Sequence, residues 1–299
     1  MNHLKQAWWD LNEKTEHYRF RSKLLQLKLR NRFLTRSVIG NAPVAVSLTS
    51  YGTRIDSVYL TIESIAVGSV RPRRITLWID EPSKLQNLPA SLLRLQSRGL
   101  QIEHAPNFGP HTKYFPYIQK YTNDDLPLVT ADDDVIYPPE WLEELLHAHE
   151  RTPTQIHCFR ARQMLLDRHG IRPYVEWPLC AETSASLTNF FTAVSGVIYP
   201  RQFLTFVRQR GSAFMQVCPK ADDIWLNLMA LRADVRVVQL RRTATDFPEI
   251  PGSQAVALWR TNQFSLELGL IGNSFYLSKA YWRALDLPHF GDLTVGYFT

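Results

Sequence analysis

Two rhythms alternate along this chain. Short runs of apolar and β-branched residues at 44–49, 73–80, 100–104, 126–131, 155–160, 194–200 and 235–240 have the length and make-up of strands. Between several of them, at 55–67, 88–98, 140–146 and 224–231, apolar residues recur three and four positions apart, which predicts helices. Strands and helices alternating in this way predict an α/β fold: an open, mainly parallel, twisted sheet with helices on both faces. Residues 1–36 contain neither Gly nor Pro and are rich in Leu, Lys, Gln and Arg. A helical N-terminal extension is therefore expected, broken by Asn41-Ala42-Pro43. No internal repeat or low-complexity tract interrupts the pattern.

Composition and charge add compartment and partners. A chain of 299 residues, 45% hydrophobic, is long enough for one α/β unit with elaborations or for two small domains. Cys158, Cys180 and Cys218 are odd in number and widely spaced, which fits neither a disulfide framework nor a zinc site and points to a reducing cytoplasm. No apolar run approaches the roughly 18 residues of a membrane span, and no signal-peptide pattern is expected. The net charge of +6 has one source: residues 1–36 hold nine basic and three acidic residues, and the rest of the chain is balanced. A nucleic-acid-binding body is therefore not implied. Leu24, Leu25, Leu27, Leu29 and Phe33 alternate with Lys23, Lys28, Arg30 and Arg32, and Trp8 and Trp9 lie upstream. Such a segment suits either an anionic membrane surface or packing on its own domain or a second subunit.

The chemistry concentrates at 126–139, where an apolar run ends in Asp132-Asp133-Asp134 and closes on Pro138-Pro139. Three adjacent carboxylates repel one another, so the arrangement asks for a positive partner such as a divalent metal, Mg²⁺ or Mn²⁺. A solvated turn capping the next helix is the plainer alternative. On extended backbone Asp132 and Asp134 would face one side and share the metal, leaving Asp133 for a hydroxyl. Upstream, Ser50-Tyr51-Gly52-Thr53-Arg54 is a small polar turn between a strand and a helix, a common nucleotide-binding edge. Lys113, in Gly109-Pro110-His111-Thr112-Lys113, would reach a diphosphate from the start of the next helix; an ordinary surface lysine is the plainer alternative. Asp222-Asp223 opens an apolar helix; one acid is expected at the N-cap or in the first turn, which leaves the other for general-base work. The aromatic stretch at 170–190, with Tyr174 and Trp177, continues to Phe190 and Phe191 and offers either sugar stacking or local packing. Gly196 would admit a close backbone approach by a ligand.

In this order the motifs resemble the GT-A fold of nucleotide-sugar-dependent glycosyltransferases, in particular bacterial members that build surface polysaccharide, capsule or lipopolysaccharide. The resemblance spans about residues 43–240 and rests on Ser47 to Tyr51 with Arg54, on Gly109 to Lys113, on Asp132-Asp133-Asp134 as an Asp-x-Asp motif, and on Asp222-Asp223. It implies a GT-A-like domain over 43–299, with a nucleotide-binding half at 43–140 and an acceptor half at 141–299, behind a basic extension at 1–42. It implies Asp132 and Asp134 as metal ligands. Thr49, Tyr51, Arg54 and Asp80 would bind base and ribose, with Asp133 at a hydroxyl and Lys113 near the phosphates. Asp223, or alternatively Asp222, would be the base of an inverting hexosyltransferase. The implied donor is a nucleotide-sugar, of UDP type and galactosyl among the options; the implied acceptor is a glycan or lipid-linked hydroxyl, met in the cytoplasm or at the inner face of the cell membrane. Many such enzymes add a late histidine to the metal, and here only His289 follows the second acidic pair. Two competing readings are a metal-dependent nucleotidyl- or phosphoryl-transferase and a non-catalytic carbohydrate-binding subunit.

Overall fold

A computed structural model of the chain describes residues 2–168 and 170–253. The N-terminal segment forms helix α1, Asn2–Phe33. There follow β1 (Ala42–Thr49), α2 (Val58–Ala66), β2 (Pro72–Ile79), the short helices α3 (Pro82–Gln86) and α4 (Ala90–Gln96), β3 (Gln101–His104), α5 (Phe115–Lys120) and β4 (Leu128–Thr130). The second half holds α6 (Trp141–Arg151), β5 (Ile156–Cys158), the small strands β6 (Ala161–Gln163), β7 (Leu166–Asp167), β8 (Gly170–Ile171) and β9 (Asn189–Phe191), then β10 (Val197–Tyr199), α7 (Arg201–Gln209), α8 (Phe214–Val217), α9 (Asp222–Arg232) and β11 (Val237–Gln239).

Seven strands form one sheet in the order β11-β5-β10-β4-β1-β2-β3. Every pair is parallel except those made by β10, which runs against both β4 and β5. The expected open, mainly parallel sheet flanked by helices, the GT-A-like architecture, is therefore present. Residues 44–48 of β1 are wholly buried, as befits a strand covered on both faces. Val44, Val46 and Leu48 pack with α2 and α4 on one side, while Ala45 joins the cluster with Trp78 and Tyr114 on the other.

Strand order decides where the site can form. The chain passes from β1 to β2 and β3 in one direction, whereas β4 lies on the other flank of β1, so the order reverses there. Crevices at the carboxyl ends of strands beside such a reversal are where open α/β sheets bind ligands. The segments that leave β1, β2 and β4 begin with Ser50, Asp80 and Ala131, and they emerge along that same edge. Because β10 is antiparallel, with Val197 opposite Thr130, the residues that precede it arrive there too.

Several local expectations are corrected. The helix expected at 55–67 divides into a 3-10 turn, Gly52–Asp56, and α2; Gly52 supplies the positive φ of 56° with which the turn starts. Gly196, at φ 96°, is approached by a tryptophan ring and not left open to a ligand: an added Cβ would lie 2.7 Å from Trp141. Trp141 also donates its indole N–H to the Ser195 carbonyl at 2.8 Å. Trp177 and Phe190 are buried, and Tyr174 packs with them at ring separations of 5.2 to 5.8 Å. The aromatic stretch thus spends its faces on local packing. All three cysteines are buried free thiols. Among the described residues no helix is long and apolar enough to cross a membrane. Residues 254–273 and His289 lie outside the described residues.

Candidate active site

The three consecutive aspartates do have positive partners, and the protein supplies them. Arg54, carried by the turn after β1, places Nη1 2.8 Å from Asp133 Oδ1 and Nη2 3.0 Å from Asp134 Oδ2, and Nη2 also donates to the Ser253 carbonyl. Ser50 donates to the other oxygen of Asp133 at 2.6 Å, and Thr61 donates to the Asp133 carbonyl. Burial raises the Asp133 carboxyl to about 6 against the opposing pull of Arg54 and Ser50. Asp134 is raised too, for the same first cause.

Asp132 belongs to a second group. Lys113 Nζ lies 2.9 Å from Asp132 Oδ1 and 3.3 Å from Asp222 Oδ2. Burial works against the charge on Lys113, but Asp132, Asp222 and Asp223 overcome it and hold its pKa well above the ordinary lysine value. Asp223 accepts the Ala193 N–H at 2.9 Å from the segment that precedes β10. Its carboxyl is pushed up to about 8, first by burial and then by repulsion from Asp222, with Lys113 pulling the other way.

This division differs from the alternation expected on an extended backbone. β4 stops at Thr130, and Asp133-Asp134 form a turn, so the two-residue side-chain period does not reach them. The pairing is Asp133 with Asp134 on Arg54 and Asp132 with Asp222 on Lys113, in place of Asp132 with Asp134. Neither Asp222 nor Asp223 caps α9. The N-cap is Ala221, and both acids stand in the first turn, where the helix dipole favours negative charge.

Sequence reasoning missed the residues that hold these groups in place. His111 is fully buried. One ring nitrogen lies 2.9 Å from the Cys218 carbonyl and the other 2.8 Å from the Tyr114 hydroxyl. The nitrogen facing the carbonyl must carry the proton, so the other accepts from Tyr114. The ring also stacks on Phe214 at 4.0 Å, and burial lowers its pKa, which favours this neutral form. His111 thereby joins the turn bearing Lys113 to the loop before Asp222. Tyr137 has a similar role, its hydroxyl oxygen accepting the Asp132 N–H at 2.9 Å. A histidine two residues before the lysine was the signal available for the first, and Ser50 lay in the polar turn already singled out after the first strand; nothing local marked Tyr137.

The remaining predicted residues line the β1 and β2 ends. Thr49 spends its hydroxyl on the Trp78 carbonyl at 3.1 Å. The Tyr51 ring lies 5.8 Å from the Arg54 guanidinium. Asp80 stands apart from both ion-pair groups; its Oδ1 is buried without a hydrogen-bond partner among the described residues, and burial raises its pKa. Glu81, next to it, accepts the Gly52 N–H.

Among the described residues no three His, Cys, Asp or Glu side chains gather as a metal cage. Mg²⁺ and related ions commonly use one or two carboxylates, completing the shell with water and substrate phosphates. Asp132 and Asp134, although held by different cations, lie close enough for Asp132 to raise the Asp134 carboxyl by repulsion, so two carboxylates are at hand for that mode. Asp132 is the most open of the three acids, its side chain 23% exposed against 5% and 8%.

No protein-family model matches the chain, and no curated protein matches it. Among solved structures it is similar to a CMP:2-keto-3-deoxy-manno-octonic acid synthetase complexed with CTP, at 13% identity and a TM-score of 0.44, over 74% of this chain and 98% of the other. It is similar to residues 1–349 of S. aureus TarS at 12% identity and 0.45, over 80% and 67%. It is also similar to the inositol-1-phosphate CTP transferase of T. maritima at 11% and 0.44, over 74% and 96%. Likenesses this distant carry no argument about chemistry, which rests on the geometry above.

Proposed function

We propose that the protein is a glycosyltransferase that moves a hexosyl group from a nucleotide-sugar, of UDP type, to a glycan or lipid-linked hydroxyl with inversion. Residues 43–299 form the transferase domain in this reading. The observation that carries it is the lysine bridge: Lys113 ties Asp132, after β4, to Asp222, at the start of α9. Donor-side and acceptor-side acids thus share one cation.

Asp223 is the base. Among the described residues it forms no salt bridge, and a carboxyl raised to about 8 holds a proton far better than an ordinary aspartate. It takes the acceptor's hydroxyl proton as that oxygen bonds to the anomeric carbon and the nucleoside diphosphate departs with the electron pair of the broken bond. Lys113 lies beside the departing phosphates. Asp132 and Asp134 are the residues to hold Mg²⁺ or Mn²⁺, which when bound would neutralise charge on the diphosphate. Arg54 and Asp133 brace the turn from behind, and the nucleoside is received by Tyr51, by Thr49, whose hydroxyl oxygen can still accept, and by Asp80, whose Oδ1 is unpartnered among the described residues.

The test is incubation with UDP-, GDP- and TDP-sugars, with and without Mn²⁺, followed by product analysis. Release of nucleoside diphosphate with sugar transfer, or slow donor hydrolysis, is expected. Release of pyrophosphate from a nucleoside triphosphate would instead establish nucleotidyl transfer and overturn the reading.

A further inference from the structure

We infer that the solvent face of α1 is a docking surface for an anionic lipid membrane. The helix carries apolar residues on two sides. One side is used in folding: Leu27 is 2% exposed and packs with Leu60, Ile136 and Ile250. Beside it Asn31 is buried, donating to Glu63 and the Ser91 carbonyl while its side-chain oxygen accepts from Arg94. The other side is in water. Tyr18, Leu25, Leu29 and Phe33 are 70%, 57%, 48% and 72% exposed. Their spacing of seven, four and four sets them in one line along the helix.

Charge chooses the partner. Arg21, Lys28 and Arg32, all exposed, repeat the seven-and-four spacing one ridge away, so a basic line borders the apolar one. A second copy of this chain would bring the same positive charge to the contact and be repelled. An anionic surface is attracted to the basic line, while the apolar line enters the headgroup boundary with the helix lying flat. The buried side then matters for geometry. Lys23 donates to the Tyr137 carbonyl at 3.2 Å, and Tyr137 in turn holds the Asp132 N–H. A helix lying in the lipid surface would set the acidic turn at a fixed height above it. The inference rests on α1 alone and does not depend on the reaction catalysed.

The test is sedimentation of the full-length protein with vesicles of phosphatidylcholine, alone or mixed with phosphatidylglycerol, together with light scattering and thermal unfolding. The protein is expected to bind the mixed vesicles, more weakly as salt rises, and to ignore the neutral ones. A triple variant, Leu25→Glu, Leu29→Glu and Phe33→Glu, should bind at least about tenfold less, with unchanged Tm, because none of the three belongs to a core cluster of the described residues. The double variant Lys28→Gln, Arg32→Gln should lose binding to the mixed vesicles by a similar factor of about ten. Failure of the unaltered protein to bind anionic vesicles, or full binding by the triple variant, would overturn the inference. So would a dimer that the triple variant makes monomeric, which gives the stripe to a second copy. A fall in Tm of the triple variant would do the same by giving the stripe to a contact within the chain.

Discussion

The two cations of the site hold their acids in different ways. Arg54 grips two neighbours on one turn, Asp133 and Asp134, in a pocket closed further by Ser50 and Ser253. Lys113 joins Asp132 to Asp222, which are ninety positions apart in sequence and reach one another only through the sheet. A guanidinium has a rigid planar fork suited to fixed pairs, whereas an ammonium is a point charge that shifts between partners. The first group is a brace. The second is a joint between the two halves of the site, and chemistry that must couple donor to acceptor belongs there.

Changes at four positions would break or sharpen this contrast. The largest effect belongs to Asp223→Asn, which should lower the transfer rate by about 10² to 10⁴ while donor binding persists, measured by kcat and by donor titration. In the unaltered protein kcat/KM should rise with pH and level off above about 8, because a base works only once its proton is lost. The variant should lose that rise.

Arg54→Ala comes next. It leaves two buried carboxylates without their cation and should cost about 3–5 kcal/mol in urea unfolding. Arg54→Lys should recover only part of this, since one ammonium does not reproduce the fork. Lys113→Gln should cost less, about 1–3 kcal/mol, because Asp132 is open enough to recruit water. Its clearer signature is kinetic. Lys113 helps hold the Asp223 carboxyl down, so its loss should move the pH midpoint upward. Equal stability losses for Arg54→Ala and Lys113→Gln, with no movement of the midpoint, would erase the distinction between brace and joint. The smallest effect is that of His111→Phe, which keeps the stacking on Phe214 but takes away the acceptor of the Tyr114 hydroxyl and one of the two donors to the Cys218 carbonyl, the Ala221 N–H remaining. It should cost about 1–2 kcal/mol of stability and reduce activity by loosening Lys113 against Asp222.

Legibility varied with how local each feature is. The seven main strands and the helices α2, α4, α6 and α9 were readable from periodicity, because burial on a sheet or helix face imposes a repeat on neighbouring residues; α7, as long as α2, was not among the helices expected. The boundaries moved where a glycine turn intervened, as at Gly52. Lys113 and the two acidic segments could be picked out by type and position; their mutual pairing could not. The prediction that Asp132 and Asp134 face together assumed that the strand continued through Asp134, four residues further than it does. Trp177 was open between ligand and packing, and Gly196 was expected to admit a ligand; packing decided both, since an aromatic ring close to a free backbone fills its space as completely as a substrate would.

What the amino-acid order determined by itself was the alternation of strands and helices, the basic extension, and which residue types stand at strand ends, all of which depend on neighbours along the chain. What the tertiary structure decided was which acid shares which cation, that His111 and Tyr137 hold the two groups in place, and that α1 buries one apolar face and leaves the other in water. Those outcomes depend on strand order and on the antiparallel β10, which bring segments from opposite halves of the chain to one edge of the sheet. Ion pairs form by distance in space, and separation along the sequence carries no record of it.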